Sequence, residues 1–246
     1  MQDKHLQYLP TEEDLPDTDN IPVDNELQVF IPSLLRAILS LLWADRFDWF
    51  FGVNMGVYYE LEKPAIGPDG FLSLGVQRHK GERGRLSYVL WQENVIPQLV
   101  MEFVSKSPGD EYNDKMTRYA AMGALYYVIY NPNHWQQDRH DKFEVYRLVN
   151  GAYVQQLGNP VWLPEINLGI GYEQGTFEGW TREWLYWYDS QSHRLLAPEN
   201  IIEQERQRTQ QERLRAEEQQ RTNRAAQELA DLITKLQERG INLNDL

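Results

Sequence analysis

The sequence predicts an α/β domain of the α+β kind: a mixed sheet of four or five strands flanked by helices, followed by a long C-terminal helix. Three observations carry this expectation. An amphipathic segment, ELQVFIPSLLRAILSLLW, opens the body. Short runs rich in β-branched and aromatic residues follow it, separated by Gly, Pro and charge clusters. From about Pro198 the composition changes abruptly to Glu, Gln, Arg and Ala. With 246 residues, 41% of them hydrophobic and 12% aromatic, the chain can fill one such core and still carry extensions.

Residues 1–25 include TEEDLPDTDNIPVDN, acidic, broken by Pro and poor in large apolar residues, which reads as an extended arm. Residues 26–197 form the predicted body. In its first helix Leu34, Leu35, Ile38, Leu41 and Leu42 recur at helical spacing, with Asn25 or Ser33 as the cap and a break at Pro32. DWFFGVNMGVYYEL, GFLSLGV, SYVLW and QLVMEFV read as strands. A second helix, roughly Glu111 to Met122, carries Tyr112, Met116, Tyr119 and Ala120 on one face and stops at Gly123. LYYVIY reads as a buried strand, and FEVYRLVNGAYVQQL as a hairpin turning at Asn150 and Gly151. Residues 198–246 read as a charged helix whose last turns, Leu229, Leu232, Ile233 and Leu236, form an apolar stripe. That stripe suits either packing on the body or a coiled-coil partner face.

Composition narrows the function. The formal charge of −13 comes mainly from the arm, where residues 1–26 hold eight acids against Lys4 alone. Residues 27–197 hold nineteen acids and fifteen bases, a balance that weakens the objection to a nucleic-acid substrate without supplying a basic stripe. The absence of Cys excludes disulfides, thiolate catalysis and Cys-based zinc sites, and suits a reducing cytoplasm. No basic-then-apolar leader is visible and no apolar run reaches the roughly 18–20 residues that span a bilayer, so a cytoplasmic protein with no membrane partner is expected.

One residue is out of keeping with its surroundings. Glu102 stands inside the apolar strand QLVMEFV, where a charge is costly unless it is paired or binds a metal. Asp69, in IGPDGF, sits at the mouth of another strand, and adjacent strands could bring the two carboxylates together. Two hard anionic oxygens suit Mg2+, with Mn2+ as a substitute. Such an ion can acidify a bound water and neutralise charge building on a phosphodiester. Lys115, on the next helix, is long enough to reach the same place and oppose a phosphate, and Glu111 four residues earlier would share its helical face.

The order IGPDGF, PQLVMEFVS, a helix containing a lysine and a tyrosine, and an apolar strand ending in NP resembles the Uma-two family, named for putative restriction endonucleases, common in cyanobacteria and part of the PD-(D/E)XK nuclease superfamily. The resemblance covers roughly residues 10–195 and extends to the Glu/Gln/Arg-rich tail. It implies a restriction-endonuclease-like core and a Mg2+-dependent endonuclease acting on DNA. Asp69 and Glu102 match the family's acidic residues, Lys115 its migrated helix lysine, and Tyr119 the tyrosine one turn later. Ser105 and Ser107 match the strand end, while Glu111 and Glu26 match further acidic positions. The usual lysine two residues beyond the glutamate is here Val104. Cleavage of both strands by one site per chain would favour a homodimer, for which the tail helix offers a face.

Other motifs have plainer readings. HWQQDRH, with His134, Asp138 and His140, lacks a second ligand cluster and reads as a solvated connection. WTREWLYWYD alternates at strand spacing and reads as sheet packing before base stacking. RHKGERGR, the body's one basic cluster, reads as a hairpin loop with a phosphate contact near Asp69 as its functional alternative. Ser105 and Ser107 have no activating partner, which argues against a serine hydrolase. The alternative to an endonuclease is a catalytically silent nuclease fold that binds a partner through its tail.

Overall fold

A computed structural model describes residues 9–16, 26–104 and 110–239. The chain divides into two units, Met1–Ala197 and Pro198–Leu246. Helix α1 (Leu27–Leu42) buries Leu27, Ile31, Leu34, Leu35, Ile38 and Leu39, the stripe set by its helical period. Its N-cap is Glu26, without a side-chain cap bond; Asn25 lies outside the described residues. Pro32 lies within the helix and does not end it. Proline has no N–H for the carbonyl four residues back, and that carbonyl, Gln28 O, accepts from Asn54 Nδ2 at 3.3 Å.

The body continues with β1 (Trp49–Val53), β2 (Val57–Tyr58), β3 (Gly70–Leu74), β4 (Tyr88–Val89), the single turn α2 (Leu90–Glu93) and β5 (Leu99–Phe103). Next come α3 (Asp114–Met122), β6 (Tyr126–Tyr130), the short α4 (Trp135–Asp138), β7 (Phe143–Val149) and β8 (Ala152–Gln156). β9 (Val161–Leu163), β10 (Leu168–Phe177) and β11 (Trp180–Tyr188) complete it. The main sheet has the order β1-β3-β5-β6-β7-β8. Only β5 and β6 run parallel; the other neighbours are antiparallel. A parallel pair needs a crossover connection, and α3 supplies it. Gly123, at φ +90°, ends α3 in the left-handed conformation, its N–H donating to Tyr119 O and Ala120 O. The hairpin adds β8 and brings the expected four or five strands to six, turning through Asn150 and Gly151 with φ of +50° and +82°.

Strand alternation splits the core between the two faces of this sheet. Leu72, Leu99, Met101, Phe103, Val128 and Tyr130 pack with α1 and a three-stranded sheet, β11-β10-β9. Phe71, Val100, Val104 and Ile129 pack on the other face with Tyr119 and Met122 of α3 and with Val57 and Tyr88 of the β2–β4 pair. Trp184 to Tyr188 are buried on both sides of β11. β9 and β10 have no counterpart in the sequence reading. LGIGYEQGTF is interrupted by glycines that propensity scores against a strand, yet close approach requires them: a Cβ on Gly175 would lie 2.1 Å from Tyr186 Oη.

Residues 9–16 lie along the body. Trp91 Nε1 donates to Pro10 O and Tyr58 OH to Pro16 O, both at 2.7 Å, and Glu12 pairs with Lys80 at 2.9 Å. The basic cluster is not a free phosphate loop. It leaves the sheet at the end of β3 opposite Asp69, and its main cations are engaged. Arg85 is buried between Glu93, at 2.8 Å, and the Phe50 ring, while Arg78 lies over Trp49. In the second unit α5 (Pro198–Glu238) is one helix of 41 residues with exposed Leu229 and Leu232. Among the described residues no helix is long and apolar enough to cross a membrane.

Candidate active site

β3 and β5 are antiparallel with Gly70 opposite Met101. One step further along that register sets Asp69 across from Glu102, and side chains of such a pair share a face. The Phe103 N–H donates to Asp69 Oδ2 at 2.7 Å, so Asp69 is tied to β5 through its own carboxylate. Behind it, Asn54 donates its backbone N–H to Asp69 O at 3.1 Å from a left-handed conformation, φ +46°. Gly70 leaves no room for a side chain: a Cβ there would meet Met101 Cγ at 2.9 Å and Pro32 Cβ at 3.1 Å. The mouth of β3 is therefore held by α1, β1 and β5 together.

Glu102 is 1% exposed and points to the face covered by α3. Lys115 and Tyr119, one turn apart on α3, present their ends to the same carboxylate. Lys115 Nζ is 2.9 Å from Glu102 Oε2, and Tyr119 OH donates to Oε1 at 2.5 Å. The question posed by a charge inside QLVMEFV thus has a structural answer: the carboxylate is paired and hydrogen-bonded.

The electrostatics of the cluster follow from its burial. Burial, and then the Glu102 charge, hold the Asp69 carboxyl well above the usual carboxylate range, despite the Phe103 N–H and Lys115. Burial also raises Glu102, against the stabilising pull of Lys115 and Tyr119. For Lys115, burial works to lower the pKa, but Glu102 outweighs it and the ammonium is held above its ordinary value. Tyr119, buried beside Glu102, is pushed well up and stays a donor. Glu102 is balanced by the Lys115 ammonium, while burial keeps the second carboxyl, Asp69, from ionising beside it.

Glu111 is not on the helix. α3 begins at Asp114, and Glu111 lies in the preceding turn, where its carbonyl accepts from Tyr127 OH at 2.8 Å. Its charge still bears on Asp69, Glu102 and Lys115. Its Oε2 is buried and has no hydrogen-bond partner among the described residues. Glu26, at the start of α1, is exposed and makes no side-chain hydrogen bond with described residues. Ser105 and Ser107 lie outside the described residues. Val104, where the usual lysine would stand, is buried in the core on the Glu102 face.

Two residues that sequence reasoning missed border the site. Gln28 Nε2 donates to Phe103 O at 3.4 Å, and Asn54 bridges Gln28 O and Asp69 O. Asn54 did carry a signal, since Asn tolerates the left-handed turn at a strand end; Gln28 carried none. Among the described residues no group of three His, Asp or Glu side chains is arranged to hold a metal by itself. Asp69 and Glu102 are hard oxygen donors of the type Mg2+ takes, one or two carboxylates at a time with several waters.

A mixed sheet flanked by helices, with two carboxylates and a lysine meeting at the strand ends, defines a restriction-endonuclease-like fold with a candidate hydrolytic site. The chain belongs to the Uma2 family, described as "Putative restriction endonuclease", whose family model matches residues 21–173. That span runs from the approach to α1 into β10 and contains all the site residues described above. No curated protein matches the chain.

Proposed function

We propose that this protein is a Mg2+-dependent endonuclease that hydrolyses phosphodiester bonds of DNA. The supporting observation is the meeting of buried Asp69 and Glu102 from adjacent strands, with Lys115 Nζ 2.9 Å from Glu102 Oε2. Asp69 and Glu102 would hold the ion, Mg2+ or Mn2+. When bound, such an ion supplies charge neutralisation at a phosphate and an acidified water. Lys115, kept protonated by Glu102, opposes negative charge developing on the phosphate oxygens. Tyr119 fixes the second oxygen of Glu102 and so fixes the direction in which the carboxylate faces. Glu111 Oε2 offers an acceptor for a proton leaving water.

One observation favours a second reading, a silent nuclease fold that binds a partner through α5. Both oxygens of Glu102 already have donors, so the carboxylate is satisfied without an ion. Plasmid cleavage separates the two. The purified protein is expected to cut plasmid DNA with Mg2+ or Mn2+ and to stop in EDTA. Asp69→Asn and Glu102→Gln are expected to lower the rate by at least about 10²-fold with unchanged circular dichroism. Folded wild-type protein that cuts neither DNA nor RNA with either ion would leave the silent reading in place.

A further inference from the structure

We infer that His140, stacked on Tyr112 and held by Glu144, is a platform on which an unpaired nucleobase of the substrate strand stacks. This rests on the nuclease reading and adds to it a preference for a single-stranded or locally opened substrate. The starting point is a second buried carboxylate. Glu144 is 4% exposed and stands opposite Ile129, which on its other side stands opposite Glu102. Residues aligned across neighbouring strands share a face. Asp69, Glu102, Ile129 and Glu144 therefore form one row along one edge of the sheet, with Glu102 and Glu144 about 10 Å apart across two strand spacings.

Glu144 uses both oxygens to fix its neighbours. Oε1 meets His140 Nδ1 at 3.1 Å and accepts from the Asp141 N–H at 2.9 Å; Oε2 accepts from Tyr146 OH at 2.6 Å. The His140 ring then lies parallel to Tyr112, with centroids 3.6 Å apart and an interplanar angle of 8°. Tyr112 is itself anchored, its hydroxyl accepting from Asn131 Nδ2 at 3.4 Å. Asn131 is fully buried and fastens the 131–138 segment, donating to Asp138 Oδ2 at 2.7 Å and accepting from the His134 N–H at 2.9 Å. HWQQDRH is thus a built support and not a merely solvated connection.

The support leaves part of the imidazole within reach of solvent. With Nδ1 engaged and one ring face covered by Tyr112, the His140 side chain is still 36% exposed. Tyr112 follows Glu111 and precedes the helix that carries Lys115, so the stack stands beside the carboxylate pair on the same strand ends. A flat, rigid ring next to a phosphodiester-cleaving site matches what an unstacked base needs, and base–aromatic stacking tolerates any sequence.

A purely structural role for His140 predicts something different, which makes the test direct. Binding of a short single-stranded DNA carrying 2-aminopurine is measured by fluorescence, with Ca2+ in place of Mg2+ to prevent cutting. His140→Ala is expected to bind about 5- to 150-fold more weakly, whereas His140→Trp, which keeps a ring but loses the bond to Glu144, binds close to wild type. Both variants melt below wild type because Glu144 loses a donor, so the order of affinity departs from the order of stability. Equal binding by wild type and His140→Ala, His140→Trp as weak as His140→Ala, or no binding by wild type would overturn the platform. Plasmid cutting by the same preparations judges the nuclease reading separately. Cutting with affinity indifferent to position 140 sinks the platform alone; binding in the order His, Trp, then Ala without cutting sinks the nuclease alone.

Discussion

Replacing Lys115 with methionine is expected to lower the stability of the body by about 3–5 kcal/mol, because it leaves Glu102 buried without its cation. A loss of that size appears as a fall in Tm of roughly 2–4 °C per kcal/mol. The double variant Lys115→Met with Glu102→Gln should recover most of it, since the stranded charge is gone, and a double-mutant cycle over thermal melts measures the coupling. The pH dependence has a definite sign. Glu102 is raised in the folded state by burial, and losing Lys115 removes the largest force opposing that rise. A carboxyl raised on folding contributes stability below its unfolded pKa and loses it as pH climbs through the folded value. Lys115→Met should therefore be closest to wild type in acid and fall behind toward neutrality.

Asp69→Asn is expected to act in the opposite sense on stability while removing cleavage. Burial and the Glu102 charge both disfavour an ionised Asp69. The amide keeps an oxygen for the Phe103 N–H without the charge, so the metal-free variant should gain about 1–2 kcal/mol at neutral pH. Its advantage should vanish below the ordinary carboxylate range, where Asp69 is protonated in both states, and grow as pH rises toward the folded value. Chemical denaturation across pH checks this; a variant less stable than wild type at pH 7 would show that Asp69 is retained for the fold.

What is legible in the sequence is what local chemistry governs. Alternation and β-branching marked the strands, Asn150–Gly151 marked the hairpin, and Gly123 marked the end of α3. Glu102 announces itself as a charge in an apolar strand, and Lys115 as a side chain long enough to reach it from the helix that follows. What escaped depended on long-range contact. β10 hides behind glycines explained by close neighbours such as Asn159, Pro160, Tyr186 and Tyr188. The basic loop keeps a phosphate contact as its alternative reading because Glu12 and Glu93, its partners, are remote or unremarkable in sequence. Gln28 and Asn54 border the site through contacts to Phe103 O and Asp69 O, and they meet each other at the carbonyl that Pro32 frees, all of it remote in sequence. Glu111 reads as part of a helix that in fact begins three residues later, yet its charge still reaches the site.

Calorimetric titration of Mn2+ and Mg2+ into the metal-free protein asks whether Asp69 and Glu102 together bind a divalent ion. Saturable binding by the wild type is expected, strengthening as pH rises and releasing protons, because the ion displaces the proton that burial keeps on Asp69. Asp69→Asn and Glu102→Gln should abolish that heat while remaining folded. Wild-type protein that is folded and gives no binding heat with either ion, or Asp69→Asn that binds as wild type does, would contradict it.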